Sequence, residues 1–290
     1  MSRLKHHAII GFLRLLPRNA ISRWAGALVS IRLPKALRPF FMKSYARIFG
    51  ADLSEVRDPL DSFPSVQDFF VRALKDGARP IDDQPGVLVS PCDGSWGQSG
   101  IVEQGTLLQM KGRPYSLADL LGDEEDAAAY EGGVYATLYL SPKDYHRFHT
   151  PCAVRVTRAR YLPGTLWPVN SAGVDLVPGL FSVNERICAF MNVNEPNQKG
   201  HLCLIAVGAT MVGKAKIVFD DLETNLPGAQ RVERTYPQGP QFDRGEEWGR
   251  FLFGSTIVLL ATPGTLDLES EPAGSSLRLG TRIGRLTSTS

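Results

Sequence analysis

From Val87 onward the chain alternates short apolar runs with Gly and Pro punctuation. The pattern predicts strands at Val87–Ser90, Trp96–Val102, Thr106–Met110, Val134–Leu140, Val154–Leu162, Ile187–Val193, Leu202–Val207, Ala215–Phe219 and Thr256–Ala261, with Ser276–Leu279 a last strand. Thr256 to Leu260 is apolar almost throughout, as a strand buried on both sides would be. Helical spacing is confined to the front of the chain and two short stretches. Ser65 is a candidate cap before a helix over Val66–Ala73, Ser116–Leu121 predicts one short helix, and residues 122–132 suit a mobile loop or short helix.

Three amphipathic stripes occupy the first 50 residues. The first runs from Ala8 through Phe12 and Leu13 to Leu16. The second joins Ile21, Trp24, Leu28 and Ile31, bounded by Pro17 and Pro34, with Asn19 as the expected cap. The third joins Phe41, Tyr45 and Ile48. No apolar run approaches the roughly 20 residues of a membrane-spanning helix, and Arg14 interrupts what would be a signal-peptide core.

Charge sharpens this picture. Residues 1–50 hold ten Lys or Arg and no Asp or Glu, whereas residues 51–290 hold 22 basic and 30 acidic residues. A basic, apolar front on an acidic body predicts a membrane-associating segment, 1–50, that lies on an anionic membrane surface, joined to a catalytic domain, 51–290. The alternative is that the stripes pack on the protein's own core. No nucleic-acid partner is expected. The four cysteines lack Cys-x-x-Cys spacing and the chain has five His, so neither a disulfide framework nor a metal site is expected.

Candidate chemistry lies in three separated loops: Asp93 in Ser90-Pro91-Cys92-Asp93-Gly94, His146 and His149 in Tyr145-His146-Arg147-Phe148-His149, and Ser255 in Gly254-Ser255-Thr256. An Asp, a His and a Ser are the ingredients of an activated serine. Taken singly each is ordinary. Asp before Gly is a common turn, and Gly-Ser-Thr is a common entry to a strand.

Six blocks change that reading: FFVRALKDGARPID (69–82), VSPCDG (89–94), YLSPKDYHRFHTPC (139–152), NERI (184–187), VGATMVG (207–213) and GRFLFGST (249–256). In content and order they resemble the phosphatidylserine decarboxylases. Departures are Phe253, where Leu is commoner, and Cys92, often Ala or Val.

The resemblance implies an α+β fold with a mainly antiparallel β core and N-terminal amphipathic membrane-interface helices. It implies a proenzyme that cuts itself between Gly254 and Ser255 into chains 1–254 and 255–290. His149 would be the base and Asp93 its orienter. Ser255 would attack the Gly254 carbonyl, and ester formation, β-elimination and hydrolysis would leave a pyruvoyl group at position 255. That cofactor would form a Schiff base with phosphatidylserine and release CO₂ and phosphatidylethanolamine, with His146 as proton donor. A homodimer, peripheral on the cytoplasmic face of a bacterial inner membrane or on a mitochondrial inner membrane, is implied too. Asn184, Glu185 and Arg186 would line the site or form a structural ion pair. A serine hydrolase acting on an external ester is a rival, but no Gly-x-Ser-x-Gly surrounds Ser255. A non-catalytic lipid-binding relative is a second rival.

Overall fold

A computed structural model describes residues 6, 7, 10, 11, 13, 16–109, 113–210, 214–252 and 256–287. Gly254, Ser255 and Phe253 lie outside the described residues. So do Met211–Gly213, Met110, and Ala8, Ile9, Phe12, Arg14 and Leu15 of the first stripe.

The body is built on one antiparallel sheet. In spatial order its strands are Val232–Thr235, Val154–Leu162, Arg186–Val193, His201–Val207, Thr256–Ala261, Val134–Tyr139, Gly94–Ile101 and Ser276–Leu277, and Gln241–Phe242 also pairs with Val154–Leu162. Thr256–Ala261 sits in the middle, with Thr256 opposite Val207 on one side and Tyr139 on the other. Its side chains alternate between two cores. Ile257, Leu259 and Ala261 enter the larger one with Trp96, Phe148 and Trp248. Val258 and Leu260 enter the second with Tyr135, Phe181 and Ile205. Burial on both faces is why this strand reads as unbroken apolar sequence, each large side chain contributing about 1.5–3 kcal/mol.

Two smaller antiparallel sheets border the large one. Ala215–Ile217, Glu247–Phe251 and Arg147–His149 form the first, and Val87–Val89, Arg282–Leu286 and Leu266–Leu268 the second. The α+β expectation with a mainly antiparallel core therefore holds. The strands Arg147–His149, Val232–Thr235 and Glu247–Phe251 were not expected. Val232–Thr235 is exposed along its whole length and is tied to Val154–Leu162 by backbone pairing and by ion pairs of Glu233 with Arg158 and Arg160, so no apolar alternation marks it.

At the front of the chain, α1 (Arg18–Val29) and α2 (Arg38–Phe49) precede α3 (Val66–Phe70). Pro17, not Asn19, occupies the α1 cap position, and Asn19 lies inside the helix with its amide donating to the Gly164 carbonyl. Ser65 caps α3 as expected by accepting from the Asp68 amide. The three stripes behave differently. Ile10, from the first, is buried with Val102, Leu107 and Tyr115, so this stripe meets the protein's own core. The α1 stripe faces outward, with Trp24 77% exposed and Leu28 68%. The α2 stripe splits: Tyr45 is buried against Phe69 and Phe70, while Phe41 and Ile48 are exposed, as is Phe40 beside them. Among the described residues no helix is long and apolar enough to cross a membrane.

Candidate active site

His149 ends a short strand whose last amide donates to the Pro91 carbonyl at 2.7 Å. This bond fastens the His segment to the loop that carries Asp93. The imidazole is buried. Its Nδ1–H donates to the Gly245 carbonyl at 2.9 Å, and Nε2 lies 3.3 Å from the Tyr145 hydroxyl. Burial holds its pKa below the ordinary histidine value, opposed by the Gly245 carbonyl and by the charges of Glu247 and Asp93. Near neutral pH the ring is uncharged with its lone pair on Nε2, the state a general base requires.

Asp93 differs from expectation. Among the described residues no hydrogen bond joins it to His149, whose orienting partner is the Gly245 carbonyl instead. Asp93 is held by the Arg79 guanidinium, with Nε at 2.8 and 3.0 Å and Nη2 at 2.5 Å, and by the Leu279 amide at 2.8 Å. The reason is geometric: a fork of guanidinium donors matches both carboxylate oxygens at once, which one imidazole N–H does not. Arg79 also bonds Glu55 at 2.9 Å, so its charge is shared between two carboxylates. The Asp93 charge favours the protonated His149 ring, less strongly than the Gly245 carbonyl and the Glu247 charge do.

His146 is fully buried. Its Nδ1–H donates to the Asp144 carbonyl at 2.8 Å, and its ring stacks on Phe70 with centroids 3.9 Å apart. Nε2 has no partner among the described residues. Burial pushes its pKa down to about 3. The ring is therefore neutral, and a proton donor it can be only after Nε2 has first accepted a proton.

The segment ahead of the Gly-Ser pair is tied to the His146 segment and to Lys214. The Phe251 amide donates to the His146 carbonyl at 2.9 Å, and the Leu252 amide to the Lys214 carbonyl at 2.8 Å. On the far side Thr256 begins the central strand. Its hydroxyl is buried with no partner among the described residues.

The comparisons decide the assignment. The family described as phosphatidylserine decarboxylase matches residues 66–285. A phosphatidylserine decarboxylase proenzyme of Anaeromyxobacter sp. (strain K) is 45% identical over 278 residues, 95% of this chain and 97% of the relative. Proenzymes of the same description from Myxococcus xanthus (strain DK1622) and Brevibacillus brevis (strain 47 / JCM 6285 / NBRC 100599) are each 36% identical. They cover 95% and 93% of this chain, and 97% and 95% of their own length. The chain belongs to the phosphatidylserine decarboxylase family.

In this family member the NERI block proves to be bracing. Asn184 accepts from the Trp167 amide and donates to the carbonyls of Trp167 and Gly208. Arg186 donates to the carbonyls of Asp119, Leu120, Ser182 and Asn184, so the expected ion pair is replaced by a carbonyl clamp. Glu185 accepts from the Tyr161 hydroxyl and the Asn225 amide, each at 2.8 Å, and burial pushes its pKa up. Sequence reasoning gave no role to Arg79, Tyr145 or Gly245. Arg79 and Tyr145 lie inside the recognised blocks, but Gly245 acts by its carbonyl, which no sequence pattern reports.

Proposed function

We propose that the protein decarboxylates phosphatidylserine with a pyruvoyl group made from its own Ser255. The observation that carries this reading is a neutral, buried His149 whose Nε2 can accept a proton, in a family member whose sequence has Gly254-Ser255 directly before Thr256, the first residue of its central strand.

Self-cleavage comes first. His149 Nε2 takes the Ser255 hydroxyl proton as the oxygen attacks the Gly254 carbonyl. The Gly245 carbonyl fixes the ring, and the Asp93 charge stabilises the imidazolium that forms. The amide becomes an ester. Loss of a proton from the Ser255 α-carbon expels the Gly254 carboxylate. Water then releases ammonia from the dehydroalanine, and a ketone remains at position 255. Strand pairing on both sides of Thr256–Ala261 retains the small chain after the cut.

When formed, the pyruvoyl group supplies an electron sink for the pair left by departing CO₂. His146 then works at Nε2 alone. It accepts a proton as the substrate amine enters and returns one to the product carbon. A residue that starts neutral must borrow the proton that it later gives.

Residues 1–50 dock this catalytic body, 51–290, on an anionic membrane surface. Support comes from the apolar side chains that α1, α2 and the link between them expose, Trp24, Leu28, Ile31, Phe40 and Ile48, among ten basic residues and no acidic ones. The intact mass of the purified protein tests the proposal. Two chains are expected, and an active enzyme that stays in one piece would refute it.

A further inference from the structure

Between α1 and the segment that leads to Gly254 lies a cavity of about 350 Å³. That is within the ~300–1,000 Å³ range of small-molecule sites. Arg23 and Gly26 of α1 form one wall, Gln67 of α3 another, and Lys214, Asn225 and Leu252 the side nearest the cut. Leu252 stands two residues ahead of Gly254, and its amide is bonded to the Lys214 carbonyl. Anything held here lies beside Leu252, two residues ahead of Gly254 in the chain.

The cation at the cavity wall lacks an acid. Most half-buried arginines of the body meet carboxylates: Arg147 bonds Glu247, Arg158 bonds Asp126 and Arg244 bonds Glu195. Arg23 instead donates to the neutral amide oxygen of Asn225, at 3.4 Å, and no carboxylate lies within ion-pair distance of it among the described residues. The acid that feels its charge is Glu185, itself already bonded to Tyr161 and Asn225. Across the cavity Lys214 is paired with Glu223 at 2.8 Å. The long, loose Arg23 bond leaves most of its donor fork without a partner among the described residues.

Arg23 is also placed rather than adrift. One turn earlier on α1, Arg18 lies over the Trp167 ring, 3.7 Å from its centroid, and Asn19 bonds Gly164. Its neighbour Trp24 is on the outward, apolar side of the same helix. The guanidinium thus stands where the exposed apolar face of α1 meets a mainly apolar cavity into which Arg23, Gln67, Lys214 and Asn225 bring polar groups. A phospholipid likewise passes from acyl chains to a phosphodiester anion to the amino acid.

We infer that this cavity seats the phosphodiester of phosphatidylserine, with the Arg23 guanidinium as its main anion-binding group and Lys214 assisting from the opposite wall. Arg is suited to this because its planar donors bind two phosphate oxygens together and its charge is permanent. Gly26, one turn beyond Arg23 and with open space where a Cβ would stand, keeps the wall shallow. The inference rests on the decarboxylase reading above, and wild-type turnover of phosphatidylserine tests that reading separately.

The test uses the self-cleaved enzyme in mixed micelles, with glycerophosphoethanolamine as a soluble competitor and ethanolamine as its phosphate-free counterpart. Arg23→Gln should weaken inhibition by glycerophosphoethanolamine about tenfold and raise KM by a similar factor, with ethanolamine inhibition unchanged. Arg23→Lys should fall between the two. Lys214→Gln, which stands off α1, should weaken the same competitor by about threefold, and carries the test if Arg23→Gln fails to fold. Equal inhibition of wild type, Lys214→Gln and either Arg23 variant would show that Arg23 only braces α1 and would overturn the inference.

Discussion

His149 donates its Nδ1–H to the carbonyl oxygen of Gly245 at 2.9 Å, and this one bond puts the lone pair of the neutral ring on Nε2. The tautomer required of a base is thus chosen by backbone, not by a carboxylate. His149→Ala and Ser255→Ala should each accumulate uncut chain, because nucleophile and base are then missing. On a denaturing gel a His149→Ala protein that cuts at the wild-type rate would remove His149 from the scheme.

Asp93 and Arg79 make a second, linked prediction. Asp93→Asn removes the charge that supports the His149 imidazolium and weakens the grip on Arg79. Cutting should slow by tenfold or more, and the fold should lose on the order of 3 kcal/mol, the scale for breaking a buried ion pair. Arg79→Met leaves Asp93 charged but loosely held, so it should cut more slowly than wild type with a similar stability loss. Urea unfolding and cleavage time courses measured on both variants would separate charge from bracing. Wild-type cutting by Asp93→Asn would show that the charge is dispensable.

The two histidines should divide the work. His146→Ala should still yield both chains, since Nε2 of His146 serves the second reaction, yet turn over phosphatidylserine at least about a hundredfold more slowly, the scale of a lost general acid–base. Cleavage and turnover assays on the same preparation check this. Full turnover by cleaved His146→Ala would exclude the proton shuttle.

His146 also has a consequence for stability. Its folded pKa is about 3, below the ordinary 6.5. The unfolded chain therefore binds a proton between these values that the folded chain refuses, so stability falls as pH drops through that window and is unaffected above it. By pH 5 the loss should be on the order of 2 kcal/mol from this group. Urea midpoints at pH 7 and pH 5 should diverge less in His146→Phe than in wild type. An unchanged difference would mean that His146 titrates normally.

Much of this was legible in the sequence. The unbroken apolar run of Thr256–Ala261 announced a strand covered on both faces, and the order of six blocks announced the family. What escaped was made by partners distant in sequence. Asp93 reads as a triad acid until Arg79, 14 residues away, is seen to hold it. Val232–Thr235 has no apolar period because all of it is exposed and its side-chain ties to the next strand are ionic, Glu233 to Arg158 and Arg160. The α2 stripe looked uniform, but Tyr45 is drawn inward by Phe69 and Phe70 while Ile48 stays out.

That split bears on which variant reports membrane contact alone. Deleting residues 1–48 would remove Met42 and Tyr45 from a buried cluster that includes Phe70, the residue stacked on His146. Replacing Trp24, Leu28 and Phe40 by Ser leaves that cluster whole. The triple variant should still cut itself but sediment far less with phosphatidylserine vesicles. Wild-type binding should weaken with salt without vanishing, since about 1 kcal/mol per basic residue is screened and the apolar part is not. Equal sedimentation of the two proteins would place the membrane contact elsewhere.

The central claim is that Ser255 becomes the cofactor, and intact mass spectrometry of the purified, active protein tests it most directly. The account predicts two chains, 1–254 and 255–290, the smaller lighter by one ammonia than a chain with a free serine terminus. A single uncut chain with full decarboxylase activity, or a small chain that begins with unmodified Ser255, would contradict it.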